Sequence, residues 1–329
     1  MPSQNGTMVF VEEVFEVVFG TTVSYIQRMA SLNPQPADLR ILAFAELIKP
    51  ELTGLSVLTA MLAFMFAEHG PFRLWDTLLL GGATLLVGGG AAALNQFMER
   101  GHDLLMKRTE RRPIPSGRVR PGEGLALGVA ASAAGVWSLW ILFGVLPAVL
   151  AVLTLGLYLG FYTPLKRRSA WNTLVGAFPG ALPTLIGWSA SEGRISAGGW
   201  MIFGILFLWQ FPHFFSLAWM YRKDYARAGY KMLPVLDDEQ GTLTNRVNLL
   251  SITALLLVTS LMTVLHFAGV LFLVGSFLLG LGFLGVAWSV RRAQRDGDPR
   301  LRTQRPSQLF FASLIYLPLV LVLGLLDKV

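Results

Sequence analysis

The sequence predicts an all-α, polytopic membrane protein: a bundle of nine transmembrane helices, read as two four-helix halves plus one. Three observations predict it. Hydrophobic residues make up 53% of the 329-residue chain and charged residues only 14%, against about 25% charged in a soluble domain. Nine apolar runs approach the roughly 20 residues that a bilayer crossing takes. Basic residues fall in alternate loops between those runs instead of being spread evenly. Cysteine is absent, which removes disulfides, zinc ribbons and thiol chemistry together.

Residues 1–40 are expected to form a cytoplasmic tail, with 8–19 a candidate interfacial helix. Glu12, Glu13 and Glu16 interrupt its apolar stretch and no basic segment opens it. Neither a secretory signal nor an organelle transit peptide is expected there. The membrane domain is expected over 41–329, with spans near 47–67, 75–97, 124–143, 146–163, 171–190, 199–219, 247–266, 268–290 and 308–326. Short turns at 144–147 and 266–269 make the third and fourth spans, and the seventh and eighth, antiparallel neighbours. Charged loops after the second and sixth spans, with those two tight turns, suggest an internal repeat of topology without residue-level identity.

Charge asymmetry orients the bundle. With the N-terminus inside, 24 of the 27 Lys and Arg lie in the tail or in the inner loops 98–123, 164–170, 220–246 and 291–307. Only Arg73, Arg194 and Lys328 lie outside. The expected topology therefore has a cytoplasmic N-terminus, an outer C-terminus and the polar loops on the cytoplasmic side. A bacterial inner membrane is expected, with a mitochondrial inner membrane as the alternative. The net charge of +7 follows from this topology, and no nucleic-acid partner is expected.

One stretch organises the rest: Asn95-Gln-Phe-Met-Glu99-Arg-Gly-His-Asp103, followed by Lys107, Arg108, Arg111 and Arg112. Polar groups at the end of an apolar run are costly without partners or a task. Steps of four residues turn a helix by about 400°, so Asn95, Glu99 and Asp103 drift about 40° per step and share one face. An amide and two carboxylates suit a hard cation such as Mg²⁺, and the neighbouring basic groups suit phosphate. The plain alternative is a solvated helix end followed by topogenic charges.

A second inner stretch, organised alike, weighs against that alternative. Gln210 and His213 lie inside the sixth span beside Pro212, whose ring frees a backbone carbonyl, and the stretch continues to Asp224 and Tyr225. A lone membrane histidine is more often a packing residue than a ligand, so His213 counts through its neighbours. A third element, Tyr162-Thr-Pro-Leu-Lys166-Arg167-Arg168, ends the fourth span and alone reads as a stop-transfer cluster. The 291–307 loop reads as a basic, solvated surface.

The run Asn95-xxx-Glu99-xxx-Asp103-xx-Met106-x-Arg108-Thr109-xx-Arg112-Pro113 resembles the first signature of the intramembrane (UbiA-type) prenyltransferases. The Trp209-Gln-Phe-Pro-His213 block and the Met106-x-Arg108-Thr109-xx-Arg112-Pro113 block narrow the resemblance to their haem-farnesylating branch, the haem O synthases, and Tyr162-Thr-Pro-Leu-Lys-Arg, Gly187-Trp188 and Asp224-Tyr225 fit it too. The resemblance runs from about residue 40 to the C-terminus. Two positions depart from the wider superfamily: Glu99 stands where Asp is usual, and Met220 and Ala228 flank Asp224 where a second aspartate would stand. One carboxylate is left there for any second metal.

The resemblance implies transfer of a farnesyl group from farnesyl diphosphate to a vinyl group of haem B with addition of water, giving haem O and diphosphate. It implies Mg²⁺ on Asn95, Glu99, Asp103 and Asp224, and diphosphate on Lys107, Arg108, Arg112, Lys166 and Arg167. Glu99, Asp103, Asp224 and His213 are the implied catalytic residues, His213 as a haem contact or proton acceptor. Gln210 and Tyr162 are weaker candidates for contact with haem or the prenyl chain. Phe97, Tyr162, Phe211 and Phe214 are candidate aromatic faces for an allylic cation. Haem B is substrate, membrane lipid the surroundings, and a downstream haem A-forming enzyme the candidate partner. Two readings stay beside this one: a prenyltransferase of quinone-precursor or other aromatic acceptors, and a transporter built on the topological repeat.

Overall fold

The computed structural model describes residues 36–68, 73–297 and 299–329, and their regular structure is helical throughout. Helix α1 (Pro36–Leu47) leads through Lys49 into α2 (Pro50–Ala67), and α3 (Leu74–Asp103) follows. Next come α4 (Pro121–Phe143) and α5 (Val145–Leu165), joined at Gly144, whose φ of 94° is a turn conformation that side-chain-bearing residues avoid. Within α5 the segment Gly156–Tyr162 is π-helical. The chain continues through α6 (Asn172–Glu192), α7 (Ala197–Met220), the short α8 (Arg222–Arg227) and α9 (Leu233–Leu236), then α10 (Thr242–Val264), α11 (Val270–Asp296) and α12 (Pro299–Leu326).

Eight of the described helices are long and apolar enough to cross a membrane: α2, α3, α4, α5, α7, α10, α11 and α12. The chain is a multi-pass membrane protein. The expected fifth span corresponds to α6, which is 21 residues long but carries Asn172, Thr173, Thr184 and Ser189 along with Pro179 and Pro183. Its neighbours explain the composition. Helices α2, α5 and α7 pack around it, so Thr184 and Ser189 are buried in protein and satisfied within the helix, on the carbonyls of Ala181 and Ile186. A helix shielded from lipid is released from the hydropathy that the other eight need.

Several helices outrun the apolar segments that announce them. At 1.5 Å per residue, the 30 residues of α3 span about 45 Å against an apolar bilayer core of about 30 Å. The excess carries the Asn95, Glu99 and Asp103 face to the membrane boundary. The stretch 291–307, expected as a loop, instead forms the charged ends of α11 and α12. Backbone hydrogen bonding within a helix does not stop where hydropathy does, so counting apolar residues undershoots the ends. The boundary expected at residue 40 falls inside α1, and the candidate interfacial helix at 8–19 lies outside the described residues.

Neighbours in sequence pack as neighbours in space: α2 to α3, α3 to α4 and α4 to α5, then α6 to α7, α7 to α10 and α10 to α11. Helix α12 packs against α11, α7 and α2, and α6 joins α2 and α5 to α7. The α3–α4 contact uses small residues. A Cβ at Gly135 would lie 2.7 Å from the backbone nitrogen of Val87 and 2.8 Å from the Ala83 carbonyl oxygen, closer than rigid backbone can accept. Without a hydrophobic drive between helices in lipid, such close approach supplies the packing energy. Gly135→Val is therefore expected to destabilise the fold by about 1–3 kcal/mol or more. Gly82→Ala, where nothing lies within 4 Å, should leave the thermal midpoint in detergent unchanged or slightly raised.

Candidate functional site

The site begins at the inner end of α3. Asn95, Glu99 and Asp103 share a face as their spacing predicts, and all three are buried. Burying two carboxylates requires partners, and each has a cation. Lys166 Nζ lies 2.9 and 3.0 Å from the two Glu99 oxygens, and Arg112 Nη1 lies 2.9 and 2.8 Å from the two of Asp103. Asn95 Nδ2 donates to Glu99 at 3.0 Å and to Thr163 Oγ1 at 3.2 Å.

Local chemistry explains the spacing that follows Asp103. A carboxylate at a helix C-terminus opposes the macrodipole, and the last carbonyls need donors. Thr109 Oγ1 donates to the Asp103 carbonyl at 2.8 Å, and the turns between them bring Arg112 back onto the Asp103 side chain. Arg108 points the other way, into the second inner stretch. Its guanidinium lies 4.9 Å from the Tyr221 ring centre and 5.5 Å from that of Tyr225, and donates to the Tyr225 hydroxyl at 2.9 Å. The two inner stretches are thereby joined. A second tie runs from the amide of Lys231 to the Lys166 carbonyl at 2.7 Å.

In α5 the π-helical turn widens the backbone just before Lys166, a distortion that often accompanies function in membrane and soluble helices alike. Tyr158 and Tyr162 stack 5.6 Å apart there, and Lys166 Nζ lies 4.7 Å over the Tyr162 ring. Opposite, on α7, the His213 ring is sandwiched between Trp209 at 4.5 Å and Phe310 at 4.8 Å. Its Nδ1 meets Ser313 Oγ at 2.9 Å, and Trp209 Nε1 donates to the Ser313 carbonyl at 2.7 Å. Gln210 Nε2 donates to the Ala177 carbonyl at 3.0 Å, bracing α7 against α6.

These groups face one cavity of about 1110 Å³. Asn95, Glu99, Asp103, Arg108, Arg112, Tyr162, Lys166, Gln210 and His213 all line it. Lys107, Arg167 and Asp224 are not among its lining residues. Lys107 and Arg167 are exposed, Arg167 with Nη1 3.0 Å from His102 Nε2, and Asp224 pairs with Arg227 at 3.1 Å one helical turn on. Among the described residues, no group of three or more His, Asp or Glu is arranged to hold a metal by itself. The oxygen donors of Asn95, Glu99 and Asp103 nevertheless fit Mg²⁺, which keeps several waters and takes one or two carboxylates along with substrate phosphates.

Sequence reasoning missed four contributors. Lys49 was counted only as an inner charge, yet its Nζ lies 3.3 Å from Asn95 Oδ1 and it lines the cavity. It sits at the N-terminus of α2 with φ 47°, a left-handed conformation costly for a lysine, where the helix dipole also disfavours a cation. Burial first, then Arg112 and Lys166, pushes its ammonium well below the usual lysine range. The Lys49-Pro50 pair opening a span was the available signal. Tyr158 was missed because a π-turn shifts the helical register, and Phe310 and Phe311 because α12 is remote in sequence.

The Asp103–Arg112 pair has a stability consequence. Arg112→Met leaves a buried carboxylate unpaired and is expected to lower stability by about 3–5 kcal/mol. Adding Asp103→Asn to that variant should recover most of the loss, as thermal unfolding in detergent would show.

Known proteins resemble this chain over most of its length. The UbiA prenyltransferase family model matches residues 56–315. The protoheme IX farnesyltransferase of Solibacter usitatus is 42% identical over 299 residues, covering 87% of this chain and 98% of that one. That of Opitutus terrae is 44% identical over 298 residues, covering 87% and 94%. A solved UbiA homolog from Archaeoglobus fulgidus, bound to DMAPP and Mg²⁺, shares the fold with a TM-score of 0.63 at 12% identity, covering 85% of this chain and 98% of that one.

Proposed function

The chain belongs to the UbiA prenyltransferase family, and we propose that it transfers a farnesyl group from farnesyl diphosphate to a vinyl group of haem B, giving haem O. The observation that carries this reading is one cavity lined by two unlike sets of residues. Lys49, Arg108, Arg112 and Lys166 line it with Glu99 and Asp103, and Trp209, His213, Phe214, Phe310 and Phe311 give it an aromatic wall. Its volume of about 1110 Å³ exceeds the roughly 300–1,000 Å³ usual for one small-molecule ligand, which suits two large substrates.

The chemistry asks for separation of an allylic cation from diphosphate. Lys166, Arg112, Arg108 and Lys49 supply donors and positive charge where the leaving group gathers negative charge. Mg²⁺ on Glu99, Asp103 and Asn95, with water and diphosphate completing its shell, would neutralise further charge on that group. Asp224, turned to Arg227 outside the lining, is not needed in that set. Leu55, Val87, Ala91, Pro183 and Ile186 give the cavity an apolar lining that suits the prenyl chain, and Tyr158 and Tyr162 would offer aromatic faces to the cation. The C–O bond breaks with its electrons on diphosphate, the vinyl group forms the new C–C bond, and water adds with loss of a proton.

The flat aromatic wall on α7 and α12 suits the macrocycle, and His213 presents its ring there. The sidedness of the basic residues supports a site on the cytoplasmic side with the N-terminus inside, and the proposed membrane is a bacterial inner membrane.

The test is direct. Purified protein in detergent is incubated with haem B, farnesyl diphosphate and Mg²⁺, and pigments are followed by mass. A chelator-sensitive gain of one farnesyl group plus water is expected. Diphosphate release with an aromatic acid but no haem product would move the enzyme to the quinone branch. Asp103→Asn should abolish turnover with membrane insertion intact, and an active, folded variant refutes the metal assignment. His213→Ala should weaken haem use while sparing diphosphate binding; equal loss of both would make the histidine structural.

A further inference from the structure

Tyr230 lies late in the second inner stretch, within the 220–246 loop, and plays no part in the reading above. The chain reaches it through Gly229, at φ 70°, and the Tyr230 amide donates to the Tyr225 carbonyl at 2.9 Å. The segment is held on both sides: the Lys231 amide donates to the Lys166 carbonyl at 2.7 Å, and Asn172 Nδ2 to the Lys231 carbonyl at 2.9 Å. The ring stacks on His102 at 6.3 Å, and Lys166 Nζ lies 5.8 Å from its centre. Tyr230 is 4% exposed and lines the cavity beside Glu99 and Asp103.

Its hydroxyl is the anomaly. The oxygen is fully buried and makes no hydrogen bond of normal geometry. Glu99 is the nearest carboxylate, close to the hydroxyl but outside normal hydrogen-bond geometry, and its oxygens are turned to Lys166. A phenol hydroxyl is a hydrogen-bond donor at neutral pH. A buried donor without an acceptor costs about 1–3 kcal/mol, and a rigidly held one in a cavity points to a ligand that accepts. The cations around it select an anion.

We propose that the Tyr230 hydroxyl is a further ligand of the diphosphate, donating a hydrogen bond to one of its oxygens. The cations supply charge from α2, α5 and the first inner stretch; Tyr230 adds a neutral, oriented donor from the second. Both inner stretches then close on the same group. This rests on the diphosphate reading given above, and the experiment separates the two.

Binding of inorganic pyrophosphate with Mg²⁺ to the full chain in detergent is measured by calorimetry. The variants are Tyr230→Phe and, as a control, Tyr316→Phe, another buried phenol with an unpaired hydroxyl, stacked on Phe283 outside the cavity lining. Tyr230→Phe should bind about tenfold more weakly or worse, the loss of a hydrogen bond to a charged group. Its ligand-free thermal midpoint should be unchanged or higher, because an unsatisfied hydroxyl has gone. Tyr316→Phe should bind as the wild type does. Equal affinity of Tyr230→Phe and wild type overturns the proposal, as does a fall in both its affinity and its midpoint, which would mean a structural phenol. No binding by the wild type overturns the diphosphate reading itself, and Tyr230's role with it.

Discussion

Everything at the inner end of the bundle depends on compensating two carboxylates where water is scarce. Glu99 and Asp103 are nearly inaccessible, and an unpaired charge in such a place costs several kcal/mol even after the protein relaxes. Lys166 and Arg112 meet that cost from two different segments, α5 and the first inner stretch. The pairing therefore does more than neutralise charge. It sets the position of α5 relative to α3, folds the segment after Asp103 back on itself, and brings the donors of three elements to one point.

The compensation is uneven, and the inequality has a functional meaning. Lys49, Arg108, Arg112 and Lys166 line the cavity against Glu51, Glu99 and Asp103. Lys49 pays most, held in a strained conformation at the wrong end of a helix dipole. An anion beside it would relieve repulsion among the cations. The same low dielectric that makes the cluster costly strengthens every contact it makes with such a ligand.

The opposite wall follows another logic. His213 is packed as an aromatic, between Trp209 and Phe310, with Ser313 on its Nδ1. Here α12 completes what α7 begins. A flat, apolar acceptor and a long isoprenoid can lie between this wall and the cationic end without either being exposed to water. Arg108 joins the first inner stretch to the second at Tyr225, and Lys231 joins the second to the end of α5 at Lys166, so that the three close that space at the loop end of the bundle.

Membrane class, the helical periodicity that aligns Asn95, Glu99 and Asp103, the sidedness of the charges and the family signature were all legible in the sequence. Each is a local property: hydropathy over one helix length, a four-residue step, or a short motif read in place. Helix ends were less legible, because hydrogen bonding carries α3, α11 and α12 past the last apolar residue. The polar character of α6 ran against a hydropathy rule that holds for lipid-facing helices and fails for one wrapped by α2, α5 and α7. Only the tertiary structure decided that Lys49, Tyr158, Tyr230, Phe310 and Phe311 share a cavity with the ladder on α3, and that Asp224 turns to Arg227 instead. Those placements depend on how far-separated segments pack, and packing is chosen by the whole bundle, which no local window of sequence contains.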